Sequence, residues 1–145
     1  VRNLKRLQCV QNSLACVISR ITKYSNITPV LRSLHWLPVK HRICFKTATI
    51  IYKFLNTGSP SYYSSCIRPY ECAVNTRRSN PENNYLHVAK FRSSVTKSKL
   101  HFQNSFSYDG PTLWNSLPLS IRTAPTLSVF KRKLKTHLFH DAYPP

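Results

Sequence analysis

The sequence predicts a mainly α-helical fold, a bundle of short helices with one small β-hairpin. Apolar residues recur at a helical period near both ends of the chain and most densely at 38–57. Ten prolines against two glycines divide the 145 residues into short, stiff pieces. Moderate alternation at 85–91 and 99–102 predicts the two strands of the hairpin. The length suits one domain or part of one.

The first predicted element is an amphipathic helix that the residues around Asn26 bring to an end. Its apolar side consists of Leu4, Leu7, Val10, Leu14, Val17, Ile18 and Ile21. Thr28 is a suitable N-cap and Pro29 suits a first helical turn, so a short second helix is predicted through Leu31 and Leu34. The segment 1–70 is therefore predicted to be helical.

The central helix, 38–57, is predicted to begin at Pro38 and to stop at Gly58. Most of its circumference is apolar, as in a core element, through Val39, Ile43, Phe45, Ile50, Ile51, Tyr52, Phe54 and Leu55. The rest is an acid-free polar seam, about 16 Å long at a rise of about 1.5 Å per residue. It consists of Arg42, Lys46, Thr49 and Lys53. Such a seam is either a solvated edge or a stripe that contacts phosphates.

Residues 71–104 are predicted to form a basic loop and the possible hairpin. The loop contains Arg77 and Arg78, and the hairpin interleaves Tyr85, Phe91 and Phe102 with further cations. Proteins that bind single-stranded nucleic acid combine aromatic and basic side chains in this way, although hairpin aromatics more often form core. Before this loop, Ser59 and Pro60 predict a capped short helix that continues through Ile67.

Residues 105–145 are predicted to form short helical pieces and then a basic amphipathic helix from Thr126 to about His140. The narrow apolar face of this last helix consists of Leu127, Phe130, Leu134 and Leu138. Its outer side carries Lys131, Arg132, Lys133 and Lys135. This helix therefore adds a further group of cations to the seam and the basic loop.

The charge balance predicts binding to a polyanion. Twenty-two Lys and Arg face four Asp and Glu, giving a formal net charge of +18, and such an excess is typical of contact with phosphate. The four acids are Glu71, Glu82, Asp109 and Asp141, and no two lie within ten residues of each other. Two-metal and paired acid–base sites need converging carboxylates. The sequence therefore favours binding over catalysis.

The five cysteines favour a reducing, intracellular location, in the nucleus or the cytoplasm. A zinc site built from Cys66, Cys72, His137 and His140 is the alternative, but five residues separate the thiols, more than zinc sites usually show. We expect no metal, no cofactor and no small-molecule substrate.

No segment is apolar enough for a membrane helix, so no membrane is expected as a partner. The absence of Met indicates a piece of a longer polypeptide.

Several long strings of the sequence resemble one known family. They include LQCVQNSLACVI, LHWLPVKHRI, NTRRSN and PTLWNSLPLSIR, in that order. Together they resemble the region that follows the polymerase core of LINE-type (non-LTR) retrotransposon reverse transcriptases, over nearly the whole chain. In that family the polymerase aspartates and the endonuclease lie upstream. The resemblance therefore implies a non-catalytic segment whose parent is an RNA-directed DNA polymerase.

Three functions follow from this resemblance and from the charge. The first is a C-terminal segment that binds template RNA or target DNA. Its expected contacts are Arg42, Lys46, Lys53, Arg77, Arg78, Lys131, Arg132, Lys133 and Lys135. The second is a structural brace that packs on the thumb of the upstream polymerase domain. The third is a relic of a mobile element that has no function.

Overall fold

A computed structural model describes residues 2–22, 24–70, 83–89 and 105–144. These residues form a mainly α-helical fold, as predicted. The helices are α1 (Arg2–Ser19), α2 (Ile27–Ser33), α3 (Val39–Thr57), α4 (Phe106–Ser116), α5 (Leu119–Arg122) and α6 (Leu127–Ala142), with a 3₁₀ helix at Ser61–Ser65. The chain divides into two compact units: a terminal unit of 1–46 with 133–145, and a central unit of 47–132.

The described part of the predicted hairpin forms no sheet. Leu86 makes an isolated antiparallel bridge to Pro69, beside hydrogen bonds from Tyr70 N to Tyr85 O (2.9 Å) and from His87 N to Arg68 O (2.8 Å). The first predicted strand thus meets the segment that closes the 3₁₀ helix. The second predicted strand, 99–102, lies outside the described residues, as do 71–82 and therefore most of the predicted loop.

The core of the terminal unit joins α1, α2 and the end of α6. Ala15, Leu31 and Tyr143 are buried together. Partly buried residues that surround them are Ile27, Val30, Leu34, Trp36, Phe139 and Ala142. Tyr143 also donates a hydrogen bond from its hydroxyl to the Trp36 carbonyl at 2.7 Å. Burial raises the pKa of the Tyr143 hydroxyl, because the charged form is poorly solvated there.

Helix α1 packs through polar and small side chains. Gln11 is only 6 % exposed, and its Nε2 donates to the Leu37 carbonyl at 2.9 Å. Gln8 Oε1 accepts a hydrogen bond from the Val39 amide at 2.9 Å, which satisfies a donor in the first turn of α3. The packed side of α1 therefore contains Gln8, Gln11 and Ala15, and the apolar side that the sequence singles out is largely exposed.

Two of four predicted helix-boundary signals act as expected, and two do not. Gly58 ends α3 at a positive φ of 67°, a conformation that glycine adopts at low cost. The N-cap predicted at Thr28 is wrong, because the side chain of Asn26 caps α2 by accepting the Thr28 amide at 3.1 Å. Ser59 does not cap the 3₁₀ helix, whose N-cap is Pro60. The hydroxyl of Thr126 accepts a hydrogen bond from the Val129 amide, and α6 begins at Leu127, one residue after the predicted start at Thr126.

Aromatic rings form the core of the central unit. Phe130, at 0 % exposure, stacks on Tyr52 with ring centroids 4.3 Å apart and on Trp114 at 5.9 Å. The Tyr52 hydroxyl donates to the Ala124 carbonyl at 2.7 Å, which ties α3 to the segment before α6. The part of α3 that lies in this unit is buried at Ala48, Ile51 and Tyr52.

The buried side of α3 only partly matches the predicted apolar surface. Ile43 and Leu55, both expected to contribute to a core element, remain exposed. Ile51 packs against Gly110, where a Cβ added to the glycine would lie 3.4 Å from Ile51 Cδ1. An apolar circumference indicates a core helix, but it does not say which side packs, since that depends on the facing residues.

The side chains of α4 hold the segment 83–89 in place. Asn115 Nδ2 donates to the Leu86 carbonyl, and the Leu86 amide donates to Asn115 Oδ1, both at 2.8 Å. Trp114 Nε1 donates to the Asn84 carbonyl at 2.8 Å. A single amide side chain thus pairs with both backbone groups of one residue, as a neighbouring strand would. The Trp-Asn pair of the PTLWNSLPLSIR string therefore has a structural role in this unit.

Candidate nucleic-acid interface

All the predicted contact residues of the terminal unit lie on its surface. Arg42 and Lys46 are exposed and one helical turn apart on α3. Lys133 and Lys135, on α6, are exposed as well. Helix α6 buries Leu134 and Leu138, so its cations are left on the outer side, as the sequence predicts.

The terminal unit exposes further cations besides these four. In the terminal unit they are Lys5, Arg6, Arg20, Arg32 and Lys40. Among the described residues of this unit the one acidic side chain is Asp141, whose Oδ2 lies 3.0 Å from His41 Nε2. This contact places the start of α3 beside the end of α6. One carboxylate against nine exposed lysines and arginines, namely Lys5, Arg6, Arg20, Arg32, Lys40, Arg42, Lys46, Lys133 and Lys135, leaves the potential of this unit positive.

The central unit carries a smaller set of exposed cations. Lys53 is exposed near the end of α3, and Lys131 and Arg132 are exposed on the first turns of α6. Arg68, which the sequence analysis did not select, is exposed after the 3₁₀ helix. The predicted contacts Arg77 and Arg78 lie outside the described residues. Asp109 is the acidic side chain that this part of the structure describes, and it is exposed on α4.

One arginine is not available for surface contacts. Arg122 is 6 % exposed, and its guanidinium lies 4.2 Å from the ring centroid of Tyr85 while Nη1 donates to the Asn83 carbonyl. Its Nε is buried without a hydrogen-bond partner among the described residues. A buried cation over an aromatic face stabilises the local structure. Arg122 therefore belongs with Trp114 and Asn115 in fixing 83–89.

The aromatic residues differ in their availability for base stacking. Tyr85, one of three predicted, is half-buried and has one face covered by Arg122; Phe91 and Phe102 lie outside the described residues. The structure instead exposes Tyr24 (96 %) and Tyr62 (66 %). Tyr62 lies against Tyr63, with ring centroids 4.5 Å apart. The sequence gives little signal for this exposure, because neither tyrosine sits in a strongly periodic element.

The described residues do not form a metal centre. Of the four residues considered for zinc, Cys66 belongs to the central unit, His137 and His140 belong to the terminal unit, and Cys72 is not described. Nowhere in the described ranges do three His, Cys, Asp or Glu side chains come close enough to hold a metal ion. Those ranges also contain no helix that is long and apolar enough to cross a membrane.

The surface can therefore act by charge and by aromatic stacking. Seven of the nine predicted contact residues are described, and all seven are exposed. They offer exposed ammonium and guanidinium groups, which bind phosphate oxygens without requiring a shaped pocket. Comparison with protein-family models, with curated proteins and with solved structures gives no match to this chain.

Proposed function

We propose that this chain is a non-catalytic segment of a LINE-type reverse transcriptase that binds template RNA or target DNA downstream of the polymerase core. The observation that supports this most directly is the exposure of all seven described contact residues, against two described carboxylates, Asp109 and Asp141. The family assignment rests on the sequence strings alone.

Phosphate contact explains this surface better than general solubility does. A soluble surface normally mixes both signs of charge, so that attraction between them limits self-repulsion. Here the net charge of +18 leaves the repulsion uncompensated within the chain. A nucleic acid supplies a dense row of negative charges, and each lysine or arginine that meets a phosphate releases a condensed counterion. Binding therefore removes an electrostatic cost that the free chain carries.

The exposed tyrosines support the proposal of a single-stranded ligand beside a duplex one. Tyr24, in the terminal unit, is 96 % exposed, and Tyr62, in the central unit, is 66 % exposed. Base stacking on such a ring contributes about 1–3 kcal/mol per base and tolerates any sequence. Template RNA, with its loops and ends, is thus a better ligand than uniform duplex.

The experiment is a salt series of binding affinity. A fluorescent hairpin RNA with a single-stranded tail and a DNA duplex of equal length are titrated with the chain between about 0.05 and 0.5 M NaCl. We expect a steep fall of the association constant with salt for both ligands, and tighter binding of the RNA. A flat salt dependence, or no binding at low salt, would contradict the proposal.

The same preparation tests the alternative of a polymerase brace. A brace that needs its neighbour has no stable fold alone. If the chain is such a brace, thermal unfolding of the isolated chain, followed by circular dichroism, shows a broad transition. Addition of the upstream polymerase domain then makes this transition sharper. A cooperative transition of the chain by itself, together with RNA binding, argues for an independent binding segment.

A further inference from the structure

Helix α1 presents an apolar strip to solvent. Four of its residues recur at spacings of three, four and three and are between 53 and 75 % exposed: Leu7, Val10, Leu14 and Val17. Leu4 and Ile18 lie beside them and are exposed at 37 and 56 %. No charged residue shares this arc of the helix. We refer to these six residues as the apolar strip.

The apolar strip is not a by-product of the packing of α1. The side that the helix buries, at Gln8, Gln11 and Ala15, is centred roughly a quarter turn from the centre of the strip, and Gln11 adjoins the strip at Leu4 and Ile18. A helix normally buries its aliphatic side and exposes its glutamines. In α1 the arrangement is reversed, since Gln11 is buried by its hydrogen bond to the Leu37 carbonyl. The aliphatic side is therefore left for another surface to cover.

The size of the apolar strip is that of an interaction site. The exposed fractions of its six residues amount to roughly 600 Å² of apolar surface, at the upper end of what a monomer normally exposes in one patch. Two such strips that cover each other bury up to roughly 1,200 Å² in total, the lower limit for a specific protein interface. If one strip packs against a polar surface, the apolar area buried comes from the strip alone and stays below that limit.

We infer that the apolar strip of α1 pairs with the same strip on a second copy of this chain. A spacing of three, four and three places Leu7, Val10, Leu14 and Val17 along one seam, the pattern by which two helices interlock their side chains. The strip is self-complementary, because a twofold axis near Asn12 sets Leu7 against Val17 and Val10 against Leu14. This inference goes beyond the proposed function and is independent of it.

The net charge of the chain makes this pairing depend on the salt concentration. Each copy carries +18, and Arg6 and Arg20 lie near the two ends of the strip. Two copies therefore repel each other at low ionic strength. Salt shortens the range of that repulsion to about 10 Å at 0.1 M and about 3 Å at 1 M, while apolar contact is unaffected or strengthened. Pairing should thus strengthen with salt, whereas nucleic-acid binding should weaken.

The test is sedimentation equilibrium of the nucleic-acid-free chain at about 0.1 and about 1 M NaCl. The test variant replaces Val10 and Leu14 by Gln. The control variant replaces Cys9 and Ser13 by Gln, the same spacing moved by one residue and so about 100° around the helix. All four positions are exposed, and circular dichroism verifies that both variants keep the helical content of the wild type.

We expect the wild type and the control to reach twice the chain mass of 16.8 kDa, with tighter association at high salt. The test variant should dissociate at least about a hundredfold more readily. Two results overturn the inference: a wild type that stays at 16.8 kDa at both salt concentrations, or a test variant that associates as well as the control. Since RNA binding is measured separately, a failure of pairing leaves the proposed function standing, and a failure of RNA binding leaves the pairing standing.

Discussion

Reversal of three charges on α3 gives the sharpest test of phosphate contact. Arg42 and Lys46 lie in the terminal unit and Lys53 lies in the central unit, and all three are exposed. The variant Arg42→Glu, Lys46→Glu, Lys53→Glu changes the formal charge from +18 to +12, because each reversal removes one cation and adds one anion. Exposed positions tolerate such changes, with an expected effect on stability within about 0.5 kcal/mol.

The expected effect on binding follows from counterion release. Each phosphate contact adds about 0.9 to the magnitude of the slope of log K against log salt on duplex DNA, and about 0.7 on a single strand. The seven described contact residues therefore predict a slope of about −6 on DNA and about −5 on single-stranded RNA. Loss of three contacts should reduce that magnitude by about 2 to 3, which at 0.1 M salt corresponds to a roughly hundredfold to five-hundredfold weaker complex.

The assay compares slopes, because slopes separate contacts from overall charge. The control variant Lys5→Glu, Arg20→Glu, Arg32→Glu carries the same net charge of +12, and its three positions are exposed in the terminal unit but were not predicted as contacts. Fluorescence anisotropy with the tailed hairpin RNA, at five salt concentrations, gives a slope for each protein. The lower net charge weakens the binding of RNA by both variants. Loss of specific phosphate contacts weakens the binding of RNA by the α3 variant further.

Two results would refute this reasoning. If the two variants lose equal affinity and equal slope, the cations of α3 contribute only to the general potential and the seam is a solvated edge. If the α3 variant discriminates among RNA sequences that the wild type binds alike, these residues contact bases, since phosphate contacts carry no sequence information.

Three further predictions concern the fold. Asn115→Ala removes both hydrogen bonds to the backbone of Leu86 and should lower the free energy of unfolding by about 2–3 kcal/mol; urea denaturation measures this, and an unchanged midpoint would contradict the role of Asn115. Phe130→Ala should cost about 3–5 kcal/mol by the same assay, because it leaves a cavity between the rings of Tyr52 and Trp114. Tyr143 has a raised pKa in the folded state, so its neutral form stabilises the fold fully below about pH 10 and this contribution is lost as the pH rises further. Tyr143→Phe should therefore be less stable than the wild type at pH 9 by about 1 kcal/mol, with a difference that narrows by pH 11; a constant difference would contradict this.

Periodicity and flanking residues predict the spans of the long helices α3 and α6 well. The boundaries expected for the central helix at Pro38 and Gly58 agree with the observed span of α3, Val39–Thr57. Three of the four residues predicted for the apolar face of the last helix, Phe130, Leu134 and Leu138, are buried, and Leu127 is half-buried. These signals are local: they depend on backbone preference and on the spacing of side chains a few residues apart.

The packing of α1 could not be predicted, because it depends on partners far along the chain. Gln11 is buried and donates to a carbonyl 26 residues away, and the half-buried Gln8 accepts from an amide 31 residues away. A buried glutamine is favourable only when such a partner exists, and nothing in the local pattern announces it. The same reason applies to Asn115 and Arg122, whose partners on 83–89 lie 29 and 39 residues away.

The excess of cations links the stability of this fold to its ligand. In both units the lysines and arginines whose side chains are described are exposed, except Arg122. Folding therefore concentrates positive charge, which opposes the compact state. Salt relieves this repulsion by screening and should raise the melting temperature of the free chain, even as it weakens the complex with RNA. RNA relieves the repulsion by direct contact, so at low salt it should raise the melting temperature more than an equal concentration of sodium phosphate does. If the cations served only to keep the chain soluble, salt would still raise the melting temperature, but RNA would not raise it more than sodium phosphate does.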